Sequence, residues 1–150
     1  MPKITIYRTY SEVTNGFMRD VAYVLGRIKS GKSAELIAKI RTCKDKDERN
    51  ALKRKLPAIN FQGTFKERNA KGLIEFSGLM PIDFDNFPSN QELTTTREML
   101  IADKYTYALF TSPSGNGLKV ILRVPADGAK NYKSYFDSIK EYYDSPYFDI

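Results

Sequence analysis

Two aspartates, Asp83 and Asp85, stand one residue apart in the otherwise apolar run MPIDFDNF (80–87). A strand sends alternate side chains to opposite faces. This spacing therefore puts both carboxylates on one face and Ile82 and Phe84 on the other. Like charges a few ångströms apart repel unless a cation lies between them. Oxygen-only donors suit Mg²⁺ or Mn²⁺, and a pair of such ions supports in-line transfer between a hydroxyl and a triphosphate. The plainer reading of the same spacing is an exposed acidic strand face.

A second element follows at SPSGNGLK (112–119). Ser112, Ser114, Gly115 and Gly117 suit a small hairpin turn. Its N–H groups and hydroxyls can face phosphate oxygens, with Lys119 as the counter-charge. An ordinary Asn-Gly hairpin accounts for the turn equally well when it is taken alone. A third stretch, GRIKSGKS (26–33), fits G-x-x-x-x-G-K-[ST], which would make the chain a P-loop NTPase dependent on Lys32. That loop needs a buried strand directly before its first glycine. Here helical periodicity runs through Gly26 to Ile28, so an interhelix turn at Ser30-Gly31 is the preferred reading.

Composition narrows the chemistry. The 150 residues include no histidine and one cysteine, Cys43. Histidine-based zinc sites, serine–histidine triads and imidazole acid–base catalysis are excluded. A lone cysteine staples nothing, which suits a reducing compartment. A formal net charge of +6 suits an anionic partner such as nucleic acid or nucleotide. No apolar run approaches membrane-spanning length and the N-terminus is not a signal peptide, so a soluble cytoplasmic protein without a membrane partner is expected.

The elements that must position these residues follow from periodicity. KITIYRTY (3–10) alternates as a strand. From Thr14 the apolar positions Phe17, Val21, Val24, Leu25 and Ile28 suggest a helix. Residues 31–43 form a second helix with Ser33 as N-cap, and 45–55 a third ended by Pro57. From Arg27 to Lys55 there are eleven Lys/Arg against four Asp/Glu. That is either a solvated helix face or a nucleic-acid-facing surface, for which Lys44, Lys53, Arg54 and Lys55 are the candidates. Strands follow at 57–65 and 73–85. Ser89 and Glu92 form a capping box opening a helix over 88–103. Strands at 104–112 and 118–124 flank the turn. Tyr132, Phe136, Ile139 and Tyr143 mark a core-facing helix, and an extended segment restarts at 145–150.

From Ile82 onward the order is β-α-β-β-α-β, the ferredoxin-like, RRM-like unit of an α+β fold. In that topology the first strand lies between the third and the fourth. Asp83 and Asp85 end the first strand, Lys119 begins the third, and Asp149 begins the fourth. The four converge on one patch. Leu118, Val120, Leu122 and Val124 are expected to face the helices. Lys119, Ile121 and Arg123 are expected on the open face, where Arg123 can neutralise phosphate.

IDFD, SPSGNGLKVILRV and the terminal FDI together resemble the archaeo-eukaryotic primase (primase-polymerase) superfamily. The match is nearest to the BT4734-like or VirE N-terminal domain of Bacteroidetes, their phages and mobile elements. IKSGK (28–32), KRKLPAINFQGTF (53–65) and GLIEFSGLMPIDFD (72–85) are similar to the upstream segments of that family. The resemblance implies an RRM-like catalytic sheet and three motifs. Asp83 and Asp85, with Asp149 of Phe148-Asp149, would be the catalytic metal ligands for two Mg²⁺ or Mn²⁺ ions. Gly117-Leu118-Lys119 would contact the triphosphate. Lysine stands there where the family pattern has histidine, which keeps a cation but not imidazole chemistry.

The expected activity is template-directed nucleotidyl transfer from nucleoside triphosphates on a single-stranded DNA template. A helicase domain or partner is expected alongside, in bacteria or their phages. The alternative from another class is a non-catalytic single-stranded nucleic-acid-binding replication module. The expected organisation is one domain over 1–150, with a basic α/β module (1–72) and an RRM-like half (73–150). It would be part of a longer protein.

Overall fold

In KITIY (Lys3–Tyr7, β1) Ile4 on one face and Thr5 and Tyr7 on the other are buried, and the strand is paired along both edges. The neighbours are β2 (Phe17–Asp20) and β3 (Ala58–Asn60), both antiparallel to it. The computed structural model describes all residues, Met1–Ile150. The chain divides into two compact units, Met1–Ser77 and Gly78–Ile150.

In the first unit the expected helix from Thr14 is corrected. Phe17–Asp20 pairs with β1, Ile6 opposite Phe17 and Lys3 opposite Asp20, and the helix α1 starts only at Val21 and runs to Lys29. Phe17 lies four residues before Val21, so an extended segment mimicked helical spacing. Gly26 sits inside α1, separated from β2 by the helical residues Val21–Leu25 rather than directly following a strand, and Gly31 (φ +72°) makes the turn into α2 (Ala34–Thr42). This removes the context a phosphate-binding loop requires. Ser33 occupies the N-cap position of α2 without a side-chain cap bond. Asp45 does cap α3 (Lys46–Lys53), accepting from the Glu48 N–H at 2.7 Å. The single strands expected at 57–65 and 73–85 are each broken by a turn. The first splits into β3 and β4 (Gly63–Phe65), the second into β5 (Leu73–Phe76) and β6 (Leu79–Phe84).

The second unit is an α+β arrangement in the expected order. β6 is followed by α4 (Asn90–Ala102), β7 (Thr106–Thr111), β8 (Leu118–Arg123) and α5 (Tyr132–Tyr143). β8 lies between β6 and β7, antiparallel to both. Ser89 accepts from the Glu92 N–H at 3.2 Å, half of the predicted capping box. The Glu92 carboxylate turns instead to the Tyr147 hydroxyl, which donates at 3.3 Å.

The fourth strand is reduced to one antiparallel bridge, Phe84 opposite Phe148. Two backbone bonds hold it: the Asp149 N–H donates to the Asp83 carbonyl at 2.9 Å, and the Asp85 N–H to the Tyr147 carbonyl at 2.8 Å. Asp83 thus turns its backbone groups away from β8, and so does Pro81 two residues earlier. Pro81, lacking an N–H, therefore forfeits no bond of the β6–β8 ladder.

Met80, Ile82, Phe84, Leu93, Leu100, Leu118, Val120, Leu122 and Phe148 form the core of this unit. The expected stripe of α5, Tyr132, Phe136, Ile139 and Tyr143, packs against it. The opposite sheet face is not open throughout. Ile121 is fully buried there, whereas Asp83 and Lys119 are half-exposed.

Candidate nucleotide and metal site

The β6–β8 register sets Asp83 directly across from Lys119. The Lys119 ammonium lies 3.3 Å from Asp83 Oδ1, with the two side chains 34% and 47% exposed. A pair this wet contributes at most about 1 kcal/mol, so a stronger cation can displace it. Asp85 follows on the same face of the strand. Its Oδ1 approaches the α-carbon of Gly117. A Cβ built at 117 would collide with that oxygen, with the Phe84 carbonyl and with Ser112 Oγ. Glycine at 117 is what lets the Asp85 carboxylate and the Ser112 hydroxyl share one corner.

The turn itself is ordered. The Ser112 N–H donates to the Gly117 carbonyl at 2.9 Å and the Gly115 N–H to the Ser112 carbonyl at 3.0 Å, with Gly115 at φ +85°. Those two N–H groups are used within the hairpin. Beside the other N–H groups of the turn, its candidate phosphate donors are the hydroxyls of Ser112 and Ser114, which lie 3.1 Å apart. Arg97 of α4, which sequence reasoning missed, braces the root of the hairpin by donating to Thr111 Oγ1.

Asp149 lies opposite Asp83 across the terminal bridge, and its exposed side chain belongs to the face away from the core. No group of three or more acidic, cysteine or histidine side chains is gathered closely enough to hold a metal ion. The fit to a divalent cation is therefore by the pair. Asp83 and Asp85 supply hard oxygen donors, and Mg²⁺ takes one or two carboxylates when phosphates and water complete its shell. The donor set suits an ion arriving with a triphosphate.

Arg123 is not brought to this group. It pairs with Leu79 at the far end of the ladder, donates to the Thr106 carbonyl at 2.8 Å and covers the Tyr107 ring at 5.1 Å. Lys44, Lys53, Arg54 and Lys55 belong to the first unit, on α3 and its flanks. Lys44, Arg54 and Lys55 are exposed and Lys53 is half-buried. Lys53 lies in the last turn of α3, where cations also complement the helix dipole.

A family model described as BT4734-like, N-terminal domain, matches residues 51–147, which is 97 of the 150 residues. The chain belongs to the BT4734-like N-terminal domain family. The matched span includes Asp83, Asp85, the 112–117 turn and Lys119, and it stops just before Phe148-Asp149. No curated protein and no solved structure matches the chain. No helix of this BT4734-like domain is long and apolar enough to cross a membrane.

Proposed function

We propose that the chain is a template-directed nucleotidyltransferase of primase-polymerase type. The observation that carries this reading is the antiparallel register of β6 and β8. It gathers two same-face carboxylates, one lysine and a hydroxyl-bearing turn within one unit.

Asp83 and Asp85 would hold Mg²⁺ or Mn²⁺, which when bound supplies Lewis-acid stabilisation of phosphoryl charge. Lys119, released from Asp83, would neutralise the triphosphate. The Ser112 and Ser114 hydroxyls would donate to its oxygens. Asp149, across the terminal bridge from Asp83 but not gathered with the pair, would serve a second ion only if its carboxylate turned towards Asp83 and Asp85. The attacking hydroxyl forms a bond to the α-phosphorus, its proton leaves to solvent, the α–β bond breaks and pyrophosphate departs. The preorganised charges and the turn orient this displacement. We propose the bacterial or phage-infected cytoplasm as its setting, with a helicase domain or partner alongside.

Incubation with a primed single-stranded DNA template, labelled nucleotides and Mn²⁺ tests this reading. Extension that disappears in Asp83→Ala supports it. Full extension by that variant overturns it.

A second reading, a non-catalytic nucleic-acid-binding replication module, is favoured by one observation. Lys119 already neutralises Asp83, and no third carboxylate is gathered with the pair. It predicts single-strand binding indifferent to divalent metal and to loss of both acids.

A further inference from the structure

Within residues 1–77 a second surface is built from cations and rings. The Arg8 guanidinium lies 5.0 Å from the centroid of the Phe17 ring. Arg19 lies 5.4 Å from the same ring and 5.9 Å from that of Tyr23. The Arg27 guanidinium beside the Tyr23 phenol, with that of Arg19, holds its pKa below the ordinary tyrosine value. The five side chains alternate without a gap: Arg8, Phe17, Arg19, Tyr23, Arg27. They come from the residue after β1, from β2 and from α1. Arg8, Arg19 and Tyr23 are exposed, Tyr23 to 51%.

Two observations set this ladder apart from an ordinary basic surface. None of its three arginines takes part in the ion pairs Lys39–Glu35, Lys119–Asp83 and Lys133–Asp137. Three guanidiniums therefore stand beside aromatic rings outside these ion pairs, and the one carboxylate at the Arg8 end, Glu12, accepts from the Arg8 backbone N–H at 3.2 Å. At its Arg8 end the ladder runs into an open hollow of about 530 Å³ whose wall includes the Glu12 carboxylate and, beside Phe17, the side chains of Ser11, Thr14 and Asn15. Those side chains both donate and accept hydrogen bonds, as base edges do.

We propose that this ladder is a binding track for single-stranded nucleic acid. Bases stack on the Tyr23 ring and on the guanidinium planes. Arg8, Arg19 and Arg27 neutralise successive phosphates, and the hollow beside Phe17 admits an unstacked base. Aromatic faces accept any base and guanidinium serves both phosphate and ring, so recognition is sequence-tolerant and selects single strands over duplex. The track needs neither the acid pair nor a metal ion, so it stands whether or not the chain polymerises.

The chain has no tryptophan, so Tyr23→Trp places a single reporter on the track. Titration with dT12, rU12 and a 12-base-pair duplex in EDTA should quench it with either single strand and far less with duplex. Anisotropy with labelled dT12 should show about tenfold weaker binding by Arg19→Ala/Tyr23→Ala than by the unaltered chain. Its salt dependence should be shallower and its melting temperature unchanged, because both side chains are exposed. Asp83→Ala/Asp85→Ala should bind the oligonucleotide as the unaltered chain does, which keeps this test separate from that of the proposed activity. Undiminished binding by Arg19→Ala/Tyr23→Ala, oligonucleotide binding without quenching, or no single-strand binding at low salt would each overturn the track.

Discussion

Lys119 occupies the place opposite Asp83 that a divalent cation must contest, its ammonium 3.3 Å from the carboxylate. The same lysine is the nearest cation for an incoming triphosphate in the proposed activity. Removing it should therefore split two affinities. Lys119→Met should bind Mn²⁺ alone more tightly, by a few-fold, because an exposed pair of this kind is worth up to about 1 kcal/mol. It should bind Mn²⁺–nucleotide less tightly, by tenfold or more. Calorimetry with metal alone and with metal plus nucleotide measures both. Equal weakening of the two would mean that Lys119 only props the strand.

Gly117 should tolerate no side chain. A methyl group there meets Asp85 Oδ1, the Phe84 carbonyl and Ser112 Oγ together. Gly117→Ala should destabilise the fold by about 1–2 kcal/mol, as overpacking does, and weaken metal–nucleotide binding beyond that by displacing Asp85. Urea unfolding and nucleotide titration on the same variant separate the two effects. Unchanged nucleotide affinity would remove Asp85 from the site.

Phe148 should anchor the end of the chain. It is 8% exposed and packs edge-on against Phe84 at 5.6 Å and Phe136 at 5.4 Å. Phe148→Ala should cost about 3 kcal/mol and release the two backbone bonds at Asp83 and Asp85. Denaturant titration reads the first, and hydrogen exchange at the Asp85 and Asp149 amides reads the second. A loss below about 1 kcal/mol would mean that the terminal segment is only loosely held.

Alkaline pH should unfold the protein through its tyrosines. Burial raises the pKa of Tyr7, with Arg68 opposing in part, and Tyr143 and Tyr147 are raised by burial too. A raised folded pKa contributes stability that is fully present below the unfolded value of about 10. It is lost as pH climbs through the folded value. The Tyr7 hydroxyl is also buried without a hydrogen-bond partner. Tyr7→Phe should equal or exceed the unaltered chain at pH 7, by up to about 1 kcal/mol, and the gap should widen at pH 11. Urea curves at both values test this, and a less stable variant at pH 7 would assign that hydroxyl a partner.

Much of the second unit was legible in the sequence because strand alternation reports faces. Ile82 and Phe84 against Asp83 and Asp85, and Leu118 and Val120 against Lys119, fixed which side chains share a side. Alternation does not report distance along a strand. Arg123 shares the face of Lys119 but lies four residues further on, about 13 Å away, and so misses the site. Burial of Ile121 was equally invisible, since periodicity gives no account of what covers a face. In the first unit the spacing of Phe17 and Val21 concealed β2, although Asn15-Gly16, with Asn15 at φ +59°, was a turn signal just before it. The arginine–aromatic ladder had no local signature, because three elements contribute to it.

The most direct test of the central claim is Mn²⁺-dependent binding of a nucleoside triphosphate, followed by calorimetry. The unaltered chain, Asp83→Ala/Asp85→Ala and Lys32→Ala should be compared. Binding that requires metal, vanishes with the acid pair and survives Lys32→Ala is the predicted result. Metal-independent binding, or binding that survives loss of both aspartates, would contradict the placement of the nucleotide on the β6–β8 sheet.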